Sequence, residues 1–405
     1  MYIAFFVILL DMVGFGVMVP IMAFYALQLG AGAEISTLCM ALYVIGMLIS
    51  TPVLGRLSDC YGRKPILMLS MFGAVGGYIM LAFADTVLLI ALSRLLGGLM
   101  AGNVAAAQAY VTDVSTPENR AKAMGMIGAA LGLGFVIGPI LGATLAGDDF
   151  ATANLQLPAL VSACLSLSAL CMVALFLKES VTAEQMSQAR SEKGVSRLRA
   201  VSLVIKHELL SALIVAGLLY NMAAGLVEAI FPLWADATGV AAGPKGLVPL
   251  LLVAGVSMVI MQAGLIGPLT RRFGEQKLVI AGAAGFAVGM LQFPFAGDSG
   301  SVVWVMLCLA LQAACASLMV TSLQSMVSQC AASSNRGMVL GVFSSAGTLG
   351  RAIGTSVSGL MFVTIDQHSP YLVSVALMVL VVMAALSIMR RFTRQLPLQA
   401  VEGEA

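Results

Sequence analysis

Gly55-Arg56-Leu57-Ser58-Asp59-Cys60-Tyr61-Gly62-Arg63-Lys64-Pro65 gathers four charged residues into eleven positions, a compact charged loop between two apolar runs long enough to cross a bilayer. Outward from it, the composition is that of a membrane protein. Hydrophobic residues make up 60% of the 405 and charged residues 10%, too little polar surface to coat a soluble globule. A span takes about 20 mainly apolar residues. Twelve such segments follow, at 2–29, 36–55, 66–83, 88–112, 122–147, 156–177, 208–237, 245–267, 277–296, 302–327, 336–363 and 369–390. The fold class they predict is an all-α membrane protein of twelve transmembrane helices. The first segment carries Asp11 and has no basic flank or small-residue cleavage site, so it reads as a retained helix and not a signal peptide.

Charge placement gives the orientation. Eighteen of the 21 Lys and Arg fall in alternate loops and the tail: Arg56, Arg63 and Lys64; Arg120 and Lys122; six within 178–206; Arg271, Arg272 and Lys277; Arg336; and Arg390, Arg391 and Arg394. The opposite loops hold Lys245 alone, beside Glu34, Asp85, Asp148, Asp149, Asp298 and Asp366. Basic loops stay cytoplasmic, so both termini are expected there. The formal net charge of +2 gives no reason to expect nucleic-acid binding. The segment 178–207 mixes Lys and Arg with Glu179, Glu184 and Glu192 and reads as a solvated, partly helical linker. The seven cysteines form no CxxC or Cys/His cluster, so no disulfide, metal site or cofactor is expected. No catalytic cluster points to an enzyme.

Subtraction exposes an internal repeat. Pro20 and Pro232, Gly55 and Gly267, and Gly62 and Gly274 are each 212 apart; Asn119-Arg120 and Asn335-Arg336, Gly125 and Gly341, and Gly138 and Gly354 are each 216 apart. Two pseudo-symmetric six-helix bundles follow, at 1–177 and 208–390, with the linker 178–207 between them and a cytoplasmic tail at 391–405. Halves of this kind bind substrate at their midplane interface and rock about it. Arg271 stands where the first half has Asp59, so whatever Asp59 does is done on one side only.

The eleven residues that open this section resemble the signature between the second and third spans of the major facilitator superfamily. Leu10-Asp11-Met12-Val13-Gly14-Phe15-Gly16 through Pro20 is similar to the first span of tetracycline/proton antiporters and related twelve-span drug/proton antiporters. Arg94, Gly98 and Gly102, followed by Ala109-Tyr110-Val111-Thr112-Asp113, Glu118 and Arg120, resemble their fourth span. Gly128, Gly132, Gly134, Gly138-Pro139 and Gly142 resemble their glycine-rich fifth-span motif, which within the family accompanies export by exchange. The resemblance implies the major facilitator fold. It also implies a cytoplasmic latch built from Gly55, Asp59, Gly62, Arg63, Asp113 and Arg120, in which Asp59 meets the start of span eleven near Arg336 and Gly337 and Arg63 pairs with Asp113. Independently of any family, Gly134, Gly138 and Gly142, like Gly128 and Gly132, clear a helix face for close backbone approach, and Pro139 removes a donor and bends the helix. Close packing and a moving hinge are both consistent with that.

Four ionisable residues fall within spans: Asp11, Arg94, Glu228 and Arg351. A charge at bilayer depth costs about 2.5–3.5 kcal/mol on insertion scales, so such groups pair, protonate or line water. A carboxyl sheltered from water can take and release a proton in turn, which makes Asp11 and Glu228 the proton-coupling candidates. The alternatives are a fixed ion pair for either, or for Glu228 a place at the wet rim. For Arg94, the match to the family's fourth-span arginine implies a part in proton transfer; the alternative is a structural bond to a neighbouring backbone carbonyl. Arg351, whose repeat mate is Phe135, either binds an anionic group of the substrate or neutralises Asp11 or Glu228. Asn103, Gln108, Asn221, Gln312 and Gln324 offer donors and acceptors to a substrate cavity, or hydrogen bonds between helices.

The expected function is a monomeric proton-coupled antiporter in a plasma membrane, of the bacterial inner-membrane type. Its partners are the lipid bilayer, protons and a small amphipathic drug or metabolite that it exports. The rival is a dedicated exporter of an anionic metabolite such as a carboxylate siderophore, and a receptor or membrane enzyme is more remote.

Overall fold

The computed structural model describes residues 2–116, 119–150, 152–191, 207–331 and 336–399, and among them every regular element is helical. Glu118, Asn335 and positions 192–206 of the linker lie outside the described residues, as does the side chain of Arg120. A helix satisfies its own backbone donors and acceptors, which a span in hydrocarbon must do. The helices are α1 (Tyr2–Met18), α2 (Met22–Gln28), α3 (Ala33–Tyr61), α4 (Arg63–Ala82), α5 (Val87–Met100), α6 (Asn103–Asp113), α7 (Arg120–Ala146), α8 (Gln156–Phe176) and α9 (Ala183–Ser191). They continue with α10 (Glu208–Ala237), α11 (Leu247–Ile260), α12 (Ile266–Phe273), α13 (Glu275–Asp298), α14 (Val302–Cys330), α15 (Arg336–Thr364) and α16 (Ser369–Gln399). Among the described residues ten helical stretches are long and apolar enough to cross a membrane, and an eleventh forms if α1 and α2 count as one. The 29-residue α15 also has the length.

Three expected spans are interrupted. The first bends by 42° between α1 and α2, around Pro20, which has no N–H to continue the ladder and whose ring clashes with the preceding turn. The fourth breaks at Ala101–Gly102 between α5 and α6. Gly102 is seated on α3, where a β-carbon would meet Leu54 Cδ1 at 2.9 Å and Ser50 O at 3.0 Å. The eighth contains a π-turn, Met261–Leu265, between α11 and α12.

The signature between spans two and three is not the loop its charges suggested. α3 runs on to Tyr61 and α4 begins at Arg63, so Gly62 alone joins them, at φ 103°. That angle lies in the region glycine enters without steric penalty. The exposed amides at the start of α4 find an acceptor far along the chain. Glu179 accepts from the backbone N–H of Arg63 at 2.9 Å and of Lys64 at 3.0 Å. A carboxylate at a helix N-terminus satisfies orphan donors and opposes the dipole. Lys64 Nζ donates to Ala174 O at 2.8 Å. Arg190 of α9 donates from Nε to Cys60 O at 2.9 Å and stacks over Tyr61 with 4.9 Å to the ring centroid. The first part of the linker is thereby strapped onto the α3–α4 joint.

By contacts the chain forms two compact units. One comprises Met1–Gly194, Glu228–Gly255 and Thr355–Gln367; the other comprises Val195–Val227, Val256–Gly354 and His368–Ala405. Within the first, α1 lies against α7 with almost no side chain between them. A β-carbon on Gly138 would meet Gly16 Cα and Val13 O, both at 2.7 Å, and one on Gly134 would meet Val13 N at 3.2 Å. Gly142 sits on the carbonyl of Val17. Gly128 and Gly132 differ from this group, since a β-carbon on either would meet nothing within 4 Å. On another side of α1, Ser162 of α8 donates to Gly14 O at 2.9 Å. At the far ends of α3 and α7 the same unit holds Lys245, whose N–H donates to Gly147 O at 3.1 Å and whose ammonium lies 2.9 Å from Asp148. Gly359 donates to Thr37 Oγ1 at 3.2 Å.

The second unit repeats the glycine device. Gly350 and Gly354, the repeat mates of Gly134 and Gly138, abut the backbone of α10 at Leu218 and Met222. α13 packs between α14 and α16, and Phe293 stacks on Tyr371 with centroids 4.8 Å apart.

Gly138→Val should destabilise the purified protein by about 1–3 kcal/mol, the range for overpacking a close contact. Gly128→Ala should be neutral or stabilising by about 0.5–1 kcal/mol, the gain of Ala over Gly in a helix. Thermal unfolding in detergent checks both, and equal effects at the two positions would contradict the packing described. Glu179→Ala should lower stability by about 0.5–2 kcal/mol, as loss of a helix cap does, and should expose Tyr61 to cleavage by limited chymotrypsin digestion. An unchanged digestion pattern would show that the strap does not depend on this carboxylate.

Candidate functional site

Two buried charges of the first unit, Asp11 and Arg94, and the buried amide of Asn103 converge between α1, α3, α4 and the two halves of span four. Asp11 is 8% exposed, Arg94 3% and Asn103 3%. Asn103 donates from Nδ2 to Asp11 Oδ2 at 2.8 Å, with Met71 Sδ at 3.9 Å from the same nitrogen. The break at Ala101–Gly102 makes this possible. Asn103 is the first residue of α6, and a continuous helix would have fixed its direction by the turns of α5. Gly98 holds the approach to the break, packed on the carbonyl of Tyr43, while Ser50 Oγ donates to Gly98 O at 2.9 Å.

Arg94 lies 5.5 Å from the centroid of the Tyr78 ring, a cation–π distance. Its Nε and Nη2, and Oδ1 of Asn103, are buried without a hydrogen-bond partner among the described residues. Asp11, Arg94 and Asn103 line one small cavity with Tyr43, Tyr78 and Met100. Tyr43 is held by stacking on Phe15, ring centroids 4.9 Å apart. Among the described residues the Asn103 amide is the one hydrogen-bond donor on Asp11, and no ion pair reaches it. A carboxylate removed from water with a single donor is poorly compensated, and a proton is one compensation open to it. Arg94 in the same cavity is the other.

The remaining expected site residues are placed as follows. Glu228 lies in α10 and Arg351 in α15, both half-buried. Asn221 donates to Gly217 O at 2.8 Å within α10 and packs against Gly347. Gln108 and Gln312 are half-buried and Gln324 is exposed. Asn103, expected with them as a cavity polar group, bonds Asp11 and lines the small cavity beside it. At the α3–α4 joint, Arg63 Nε lies 3.0 Å from Asp113 Oδ2, and Arg63 also pairs with Asp59 and donates to Ser58 Oγ at 2.7 Å. Ser180 donates to the same Asp113 oxygen at 3.1 Å. Gly55 borders open space.

Several residues here were missed from sequence. Tyr43 and Tyr78 signal themselves as tyrosines inside apolar spans. Glu179 follows the end of a span, where nothing local marks it as a cap for α4. Glu275 was within reach of the repeat arithmetic: at offsets of 212 and 216, Arg63 and Asp113 correspond to Glu275 and Gln329. Gln329 Nε2 donates to Glu275 Oε1 at 3.0 Å, and Ser325 donates to the same oxygen. The second unit thus joins the matching positions by hydrogen bonds, where the first uses an ion pair.

Comparison with known proteins agrees with this architecture. The chain is 29% identical over 360 residues to the class C tetracycline resistance protein of Escherichia coli, covering 88% of this chain and 86% of that one. It is 27% identical over 368 residues to multidrug resistance protein 2 of Bacillus subtilis (strain 168), covering 89% and 87%. The crystal structure of the human organic anion transporter MFSD10 superposes with a TM-score of 0.69 at 21% identity, over 95% of this chain and 98% of that one. The Major Facilitator Superfamily model matches residues 4–277 and 263–403. The chain belongs to that superfamily of membrane transporters, with relatives among its tetracycline and multidrug resistance members.

Proposed function

We propose that the protein is a monomeric proton-coupled antiporter that exports a small amphipathic drug or metabolite by alternating access between its halves, 1–177 and 208–390. The carrying observation is the Asp11 site: a buried carboxyl with one hydrogen-bond donor, sharing a cavity with a buried arginine. Such an acid can stand charged beside Arg94 or protonated, and a driver of exchange needs both states. The names of the tetracycline and multidrug resistance relatives support export of a drug-like solute. Each proton moving down 100 mV releases about 2.3 kcal/mol. The alternation of basic loops supports a bacterial inner membrane with both termini in the cytoplasm. On that orientation the Gly62 joint is cytoplasmic, the Lys245–Asp148 contact is external, and Asp59, paired with Arg63, would serve as the latch toward the start of span eleven.

A second reading, a dedicated exporter of an anionic metabolite, is favoured by Arg351. A permanent cation half-buried in a span is a fitting partner for a carboxylate, and the structurally similar human MFSD10 is an organic anion transporter.

Asp11→Asn should abolish substrate movement driven by a pH gradient in reconstituted vesicles, while exchange down a substrate gradient and membrane insertion persist. Proton-driven transport at the wild-type rate would refute proton coupling at Asp11. Arg351→Gln separates the two readings on a panel of substrates of varied charge. Loss confined to anionic and zwitterionic members, partly restored in Arg351→Lys, supports the anionic reading; equal loss across the panel supports a role in neutralising an acid.

A further inference from the structure

The cavity beside Asp11 has a volume of about 10 Å³, close to the minimum that holds one water molecule. It is also polar. Apolar cavities of such size stay dry, whereas a buried water is held by two to four polar partners. Here the partners are available and otherwise unsatisfied. Arg94 Nε and Nη2 are buried donors without an acceptor, and Asn103 Oδ1 is a buried acceptor without a donor. Asp11 has acceptor capacity left after the single bond from Asn103. All three residues line the cavity.

We propose that this cavity is a binding site for a single water that bridges Arg94 to Asp11 and passes the proton to and from the carboxylate. The bonding closes. The water donates one hydrogen to Asp11 and the other to Asn103 Oδ1, and its lone pairs accept from the Arg94 guanidinium. Four hydrogen bonds complete the three orphaned atoms and the carboxylate together. In the transfer, one of the Arg94 hydrogen bonds opens and an incoming proton takes the lone pair it frees, as the hydrogen that the water already donates passes to Asp11 Oδ. One O–H bond forms on the water as another breaks, and a neutral water remains; release runs the same steps in reverse. Arg94 stays protonated throughout. Its charge holds the water while Asp11 is ionised, and tends to expel a second positive charge from the water, directing it onto the acid. Tyr43 and Tyr78, the other titratable groups on the cavity wall, supply the ring face under Arg94 and a nonionic boundary.

Asn103 then becomes a positioning residue with two jobs. Its amide nitrogen holds the ionised carboxylate, and its oxygen holds the water. The inference rests on Asp11 as the proton carrier and adds the ligand that serves it.

The test is infrared difference spectroscopy, acid minus neutral, on the full-length protein reconstituted in lipid, in ordinary water and in water labelled with oxygen-18. Expected in the wild type is a hydrogen-bonded O–H stretching band that shifts with the oxygen label and disappears in Asp11→Asn. Asn103→Leu removes the acceptor for the water, and Ala74→Val narrows the cavity without touching a polar group. Each should abolish the labelled band and slow proton-driven transport about tenfold or more, as expected for losing a hydrogen bond to a charged group. No oxygen-18-sensitive band in the wild type, or a band unchanged in either variant, overturns the water site. Wild-type proton-driven transport in Asp11→Asn instead overturns the proton-carrier reading beneath it, so the two failures are told apart.

Discussion

The contact on which the first unit depends is the bare approach of α7 to α1. At Gly134, Gly138 and Gly142 there is no room for a β-carbon, so the two backbones meet directly, and dispersion acts over a long seam in a medium that offers little hydrophobic drive between helices. The seam also fixes rotation. Met12, Val13, Gly16 and Val17 face α7, Gly14 faces Ser162 of α8, and Asp11 is left on the remaining side, toward span four. A carboxyl placed by side-chain packing would have latitude of an ångström or more. Here the helix that carries it is clamped by its own backbone, and the partner Asn103 is aimed by a break that Gly102 and Gly98 seat on α3.

Much of this was legible in the chain. The glycine spacing of the fifth span and the repeat offsets are local or periodic features, and at Gly134, Gly138, Gly350 and Gly354 they map onto packed helix pairs in the structure. What escaped was non-local or depended on what a helix does at its ends. Eleven residues dense in charge read as a loop, yet α-helical geometry continues through Asp59 to Tyr61 because those side chains point to partners, Arg63 and its neighbours, and need no solvated turn. Glu179 caps a helix 116 positions away, and no pattern within a window of sequence can announce such a pairing. Asn103 was visible as a polar residue in a span, but its partner depended on the interruption at Ala101–Gly102, and two small residues in an apolar run signal close packing as readily as a break.

The two halves of the repeat have diverged in chemistry at the same geometric position. In the first, Arg63 bonds Asp113 and Asp59; in the second, Glu275 takes bonds from Gln329 and Ser325. Both tie the start of one span to the end of the next, beside a joint at a positive-φ glycine, Gly62 or Gly274. A charged pair is stronger when shielded and no stronger than a neutral bond when exposed. Asp59 is 52% exposed, whereas the Arg63 side chain is 11% exposed, so the arginine is the anchored member and its acids are the replaceable ones.

That asymmetry bears on how such a protein can move. A carrier that alternates between two states needs them within a few kcal/mol of each other, because shifting a population from 1:99 to 99:1 takes about 5.5 kcal/mol of differential stability. Contacts that form in one state only must therefore be individually modest. The half-exposed pair of Arg63 with Asp59 and the exposed pair of Lys245 with Asp148 fall in the range of about 0–1 kcal/mol typical of solvated ion pairs. The glycine seam and the Glu179 cap are different in kind: one is buried, the other satisfies backbone donors, and neither can part without leaving voids or orphaned amides. By this energetic criterion the seam and cap are the contacts least suited to opening. The weak ionic contacts at the ends of the spans are the places where a change of state is affordable.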